Sequence, residues 1–327
     1  MPLSLRRGTV TAIAEEHEGL IRCTVDDEPC IGYPELTGSL AIGDEVIVSV
    51  QARELALGSG GFDVVHANLT QGLGLPPQAG AHVMKLPYTS LQHAVRHVEE
   101  DEALAEALAG LPVVCCSLHS QLAPACAALA GLRVAYVQLA GGALAVPLSD
   151  TVRALRAREL VGATVSAGAC FGGELESVTA ASALAWAAGR EFDAVVCSIG
   201  PGIVGTASRL GHGGLAAAEA ANTALALQGS PVLAVRVSGG DPRERHQGVS
   251  HHTRAVVELC IGEIRIAWPV GLDAPDWLEH RIEVDTAGWR EACDGLPLEH
   301  MGRGPDDDPW FFASAFAAGK LARELAS

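Results

Sequence analysis

Aromatic residues are scarce, at 4% of the chain, so the core must be assembled from Ala, Val, Leu and Ile. Basic residues are also few: 22 Lys and Arg stand against 39 Asp and Glu, leaving a net charge of −17. A uniformly acidic surface repels phosphate backbones and anionic lipid heads, which excludes nucleic acid and membrane surfaces as main partners. No apolar run approaches the roughly 20 residues that span a bilayer. The basic residues within 1–10 have no apolar run after them, so no signal peptide is expected. Cys-x-x-Cys pairs are missing. The nine cysteines are odd in number and sit mostly in apolar runs such as Pro112-Val-Val-Cys-Cys116 and Ala194-Val-Val-Cys197, the pattern of buried, reduced thiols in a cytoplasmic protein.

What is present makes a folded chain, with 49% hydrophobic and only 19% charged residues. Its 327 residues exceed the size at which one core usually stops growing, so two domains are expected. Residues 1–70 read as a small β-barrel-like module. Gly8-Thr-Val-Thr-Ala-Ile13 and Leu20-Ile-Arg-Cys-Thr-Val25 alternate apolar and polar residues around the turn at His17-Glu-Gly19, the period of half-buried strands. Ile42-Gly-Asp44 is a tight-turn signal before the strand 45–50, and Gly58-Ser-Gly-Gly61 breaks the chain before strand 62–66. No helix of three turns is expected in this span. After a Gly- and Pro-rich linker, residues 71–327 read as an α/β domain. Strands are expected near 83–86, 113–117, 133–139, 164–167, 194–199, 232–237 and 264–267, with helices at 91–108, 149–160, 175–188 and 215–227. Near-continuous apolar strands alternating with helices imply a largely parallel sheet flanked by helices on both faces. A last helix, 309–325, follows Asp306-Asp-Asp308, whose carboxylates suit a helix start, and docks through Phe312, Phe316 and Leu321.

In open parallel sheets ligands bind beyond the carboxyl ends of the strands, so the loops there are the places to look. Gly200-Pro-Gly-Ile-Val-Gly-Thr206 matches G-x-G-x-x-G, but Gly211, Gly213 and Gly214 delay the next helix and no ribose-binding acid follows, which argues against a dinucleotide. It lacks the P-loop lysine. Its N–H groups, at Gly200, Gly202, Gly205 and Thr206, could cradle an anion; the competing reading is a turn whose glycines serve close backbone packing. The loop Gly168-Ala-Cys-Phe-Gly-Gly-Glu-Leu-Glu176 places Glu174 and Glu176 near a helix start, either to complement the dipole or to meet a metal, amine or hydroxyl. Cys170, beside two carboxylates, is not expected to be a nucleophile. The densest polar segment, Asp241-Pro-Arg-Glu-Arg-His-Gln-Gly-Val-Ser-His-His-Thr253, inverts the local charge of an acidic chain. Arg243 and Arg245 suit carboxylate or phosphate, and His246, His251 and His252 suit proton transfer, although their spacing matches no zinc signature. The alternative is a solvated loop with a His capping the next helix. His119, Gly141-Gly142, His82 and Lys85 are weaker candidates, His119 being read as a packing residue.

Several of these pieces together resemble a bacterial family known only as domain of unknown function thirty-eight sixty-six. They are Leu57-Gly-Ser-Gly-Gly-Phe-Asp-Val-Val-His-Ala-Asn-Leu69, Phe171-Gly-Gly-Glu-Leu-Glu176, Gly200-Pro-Gly-Ile-Val-Gly-Thr206 and Arg245-His-Gln-Gly-Val-Ser-His-His-Thr253, with Met301-Gly-Arg-Gly-Pro305 and Asp308-Pro-Trp-Phe-Phe312 in the tail. The resemblance runs over nearly the whole chain and implies no activity. It departs at Ala169, where the family pattern carries a His.

The leading expectation is an enzyme or sensor that binds a small anionic metabolite at the carboxyl edge of the sheet. Gly200, Gly202, Gly205, Thr206, Asp241, Arg243, Arg245 and His246 would hold the ligand, and His251, His252 and Glu174 would carry any catalysis. No metal ligands and no cofactor are assigned. One rival is a metal-dependent hydrolase built on Glu174, Asp241, His251 and His252; the other is a non-catalytic assembly module whose Ala-rich helices pack on a partner subunit. Positive mean hydropathy with few charges suggests a homo-oligomer, a dimer being the expectation.

Overall fold

A computed structural model describes residues 3–56, 61–101, 103–278 and 280–326. Contacts divide the chain into two compact units, Met1–Arg96 and His97–Ser327. In the first, strands Leu5–His17, Leu20–Val25, Glu28–Gly32, Glu45–Ser49 and Asp63–Asn68 close into a five-stranded barrel. Their alternation puts Val10, Ile21, Cys23, Val25, Cys30, Val46, Val48 and Val65 inside. Asp26 and Asp27, both at positive φ, form the two-residue turn whose twist suits a tight hairpin. Closure leaves no strand edge to template aggregation. The helices in this span, Pro34–Thr37 and Gln51–Glu54, are single turns. The Gly58-Ser-Gly-Gly61 break, Gly61 apart, lies outside the described residues.

The second unit is built on eight strands. In spatial order they are Leu175–Ser177, Ala163–Ala167, Val134–Leu139, Ala194–Ile199, Pro112–Cys116, Ser230–Ala234, Arg265–Pro269 and Ile282–Val284. Every neighbouring pair is parallel. Successive side chains enter two separate cores: Val113 and Cys115 face helices Ala180–Gly189 and Ala216–Ala226, whereas Val114 and Cys116 face Leu122–Ala128, Asp150–Ala157 and Pro309–Leu325. This is why the strands read as unbroken apolar runs. Ala-rich helices approach closely. A Cβ on Gly319 would fall inside contact distance of the Ala125 carbonyl, so the last helix crosses Leu122–Ala128 backbone to backbone. Among the described residues no helix is long and apolar enough to cross a membrane.

Three expected elements are corrected. The segment 91–108 is not one helix: His93–Val95 pairs with Val83–Lys85 as a hairpin in the first unit, and only Val98–Asp101 is helical. The N–H groups of Ala105 and Leu108 go instead to the carbonyls of Ala185 and Leu227, and Ala109 and Gly110 take positive φ. Leu175–Ser177 is the edge strand, and the helix after it starts at Ala180 behind a Thr179 cap, so Glu174 and Glu176 are not at a helix start. The strand expected over 232–237 leaves the sheet at Ala234; Val237–Ser238 pairs antiparallel with Gly248–Val249 in a two-stranded ribbon.

The topology opens crevices at the middle of the sheet, one of them beside the strand Ser230–Ala234. From the carboxyl end of Pro112–Cys116 the chain passes to the helix Leu122–Ala128 on one face. From its neighbours Ala194–Ile199 and Ser230–Ala234 it passes to helices Ala216–Ala226 and His251–Leu259 on the other. Loops that diverge from adjacent strands open a crevice, the usual ligand position in such sheets.

Candidate functional site

The segment leaving Ser230–Ala234 buries a charged centre at that crevice. Arg236 is fully buried and Asp241 is 1% exposed. The Asp241 carboxylate accepts a fork from Arg243, at 2.9 Å from Nε and 2.7 Å from Nη2, and further bonds from Arg236 at 3.2 Å and Arg303 at 3.3 Å. These bonds, Arg243 foremost, hold it well below the usual carboxylate range. Burial drags the Arg236 guanidinium down to about 10, with Asp241 working against that loss. Asp308 completes the centre. It accepts from Ser238 Oγ, from Gly239 N–H at 3.0 Å and from Arg303 Nε at 3.2 Å. Asp308 stands at the N-cap position of the last helix, but its carboxylate forms no side-chain cap there.

Four imidazoles pack against this centre. His246, His251 and His252 lie with ring centres 4.4 to 5.0 Å apart, and His212 stacks on His252 at 3.6 Å. One nitrogen from each of His246, His251 and His252 falls within 4.8 Å of the others. Ser250, rather than a histidine, caps the helix His251–Leu259 through the His252 N–H, and its Oγ lies 2.7 Å from His246 Nδ1. Arg236, which can only donate, gives an N–H to His252 Nδ1 at 3.2 Å. Burial, and then the neighbouring Arg236, hold His246 down to about 3. Burial, then His212 and Arg236, hold His252 at about 2. Burial and Arg245 lower His251. These rings are neutral near pH 7. His251 Nε2 is buried without a hydrogen-bond partner.

Of the expected residues, Asp241, Arg243, Arg245, His246, His251 and His252 come together here. Arg245 is exposed and, among the described residues, forms no ion pair or hydrogen bond. The Gly200–Thr206 loop reaches the cluster through His212: Gly205 bridges His212, and Gly213 N–H bonds the Val204 carbonyl. Its glycines answer to backbone packing. A Cβ on Gly200 would collide with the Ala143 carbonyl, and one on Gly213 with that of Gly141. The N–H groups of Val204 and Thr206 are spent on the carbonyls of Gly141 and Gly211. Gly213→Ala is therefore expected to lower stability by about 1–3 kcal/mol, the usual cost of overpacking, read as an earlier denaturant midpoint. An unchanged midpoint would mean the Gly141 backbone yields freely.

Glu174 stands apart. Its carboxylate pairs with Arg156 and accepts the Thr164 N–H, just before the far edge strand Leu175–Ser177. Five strand spacings separate that edge from Ser230–Ala234, roughly 24 Å at about 4.8 Å each. His119 is a packing residue. Its Nδ1 donates to the Ile199 carbonyl at 3.1 Å and its Nε2 accepts from Ser149 at 2.6 Å. Cys170 is fully buried.

Arg236, His212, Arg303, Asp308 and His300 were not read from the sequence as site residues. His300 lies flat on Phe311 at 3.9 Å, bonds Ser120 at 3.0 Å and is held down to about 3 by burial and then by Arg236. One signal was available: Arg236 interrupts an apolar strand run, and a charge there has to find a buried partner. The others come from loops far away in sequence.

A family model described as "Protein of unknown function (DUF3866)" matches residues 30–319. No curated protein matches the chain.

Proposed function

The chain belongs to that family, whose description assigns no activity, and we propose from the site's geometry that it binds a small anionic ligand at the carboxyl edge of the parallel sheet. The observation that carries this is a surplus of positive charge. Arg236, Arg243 and Arg303 share only Asp241 and Asp308, and Arg245 beside them has no partner among the described residues. In a chain of net charge −17 such a surplus is a local inversion, and an oxyanion that accepts from guanidinium groups compensates it. The neutral imidazoles beside it supply further donors. Glu174 and the N–H groups of the Gly200–Thr206 loop have no part in this reading.

The test is calorimetric titration of metal-free protein with sulfate at low salt. One site per chain is expected. Arg245→Ala should weaken binding about 10- to 100-fold, the worth of one charge-assisted hydrogen bond, without moving the melting temperature. Absence of sulfate binding to the unmodified protein, or full binding by Arg245→Ala, would end this reading.

A further inference from the structure

We propose that His246, His251 and His252 form a site for a divalent transition metal. The proposal goes beyond the anion reading and does not rest on it. Its basis is the arrangement of the rings. Around a tetrahedral ion with metal–nitrogen bonds of about 2.1 Å, three imidazole centres stand about 5 Å apart. Here they stand 4.4, 4.8 and 5.0 Å apart. The candidate nitrogens lie within 4.8 Å of one another, against about 3.4 Å around such an ion, a difference that small side-chain rotations close.

Three further observations point the same way. His251 Nε2 is a buried ring nitrogen without a hydrogen-bond partner, and burying it so is costly unless something binds there. His246 is oriented by Ser250 Oγ at its Nδ1, which leaves Nε2 as the ligating atom, the supporting contact typical of metal-bound histidines. His212 lies parallel to His252 at 3.6 Å and 16°, fixing that ring's plane.

One contact must give way. His252 coordinating through Nε2 carries its proton on Nδ1, where Arg236 now donates; Arg236 then turns to Asp241, which it already bonds at 3.2 Å. The nearby guanidinium groups also oppose a second cation, so the ion's fourth ligand is an anion or hydroxide, and only this coupling rests on the proposed function.

The experiment is titration of chelator-treated full-length protein with cobalt(II). Expected are one ion per chain and the visible absorption of a tetrahedral cobalt centre. His251→Ala should weaken binding more than about 100-fold, beyond what loss of a merely supporting residue costs, and His251→Gln should do the same. His212→Phe, which keeps the stack, should retain stoichiometric binding. Melting of the chelator-treated variants checks that the fold is kept. No tetrahedral band, or unchanged affinity in both His251 variants, overturns the metal site. Sulfate binding without metal is measured separately, so cobalt binding without sulfate binding would sustain this proposal and remove the anion reading, and the reverse would do the opposite.

Discussion

Metal-free protein is expected to lose at least about 4 kcal/mol of stability between about pH 7.5 and pH 5. Two histidines outside the imidazole cluster account for about 4 kcal/mol of it, and the buried rings of the cluster add to it. Burial holds His119 at about 4, against the Ile199 carbonyl, which favours its charged form. His300 is held down to about 3 by burial, then by Arg236 and Arg303, with Asp241 opposing. In the unfolded chain both titrate near about 6.5. A depressed folded value means that the unfolded state binds the proton first. The stability is fully present above pH 6.5 or so and falls as pH drops below it. At pH 5 neither ring has yet charged in the fold, so each costs about 1.5 units, or about 2 kcal/mol. All five tryptophans lie beyond residue 97, so their fluorescence during urea unfolding reports the larger unit alone. His300→Phe should remove about 2 kcal/mol of the pH dependence. A midpoint that does not move from pH 7.5 to 5 would show that these rings are free to charge in place.

The second large effect is expected at Asp241. Asp241→Asn leaves Arg236, fully buried, without its counter-charge and strips Arg243 and Arg303 of a shared acceptor. Removing one partner of a buried pair costs about 3–5 kcal/mol. For a unit of this size that is a fall in melting temperature on the order of 10 °C. Glu244→Gln, an exposed acid three positions on, should leave melting unchanged. Equal melting of Asp241→Asn and the unmodified protein would mean that solvent already screens the centre. The carboxylate's stabilising effect is present above the ordinary aspartate range and is lost only at strongly acidic pH, because its folded value is depressed. The Asp241 and histidine contributions therefore separate along the pH axis.

Local signals carried much of the architecture. Val113-Val-Cys-Cys116 and Ala194-Val-Val-Cys197 announce buried parallel strands because both faces of each are covered. The segment 241–253 was legible as a candidate site because six of its charged or imidazole side chains are neighbours in sequence. What escaped was whatever depends on distant partners. The stripe of Val98, Leu104 and Leu108 has helical spacing, yet the backbone there is claimed by Ala185 and Leu227. Glu174 looked poised before a helix, yet it sits just before an edge strand, against Arg156. Arg303 and Asp308 reach Asp241 and Ser238 across 62 and 70 residues, a separation that no local pattern encodes.

That separation has a consequence for how the protein is made. The helix Pro309–Leu325 lies beneath strands that emerge some two hundred residues earlier, with Gly319 against the Ala125 backbone. Contacts this far apart in sequence form late, and chains that depend on them fold slowly. During synthesis the strand Pro112–Cys116 and its neighbours have one apolar face only partly covered, by Leu122–Ala128 and Asp150–Ala157, until residues 309–325 arrive to complete the cover. Asp241 and Ser238 likewise wait for Arg303 and Asp308. A nascent chain halted before residue 300 would thus present a greasy sheet and a half-neutralised guanidinium cluster, a natural client for chaperones.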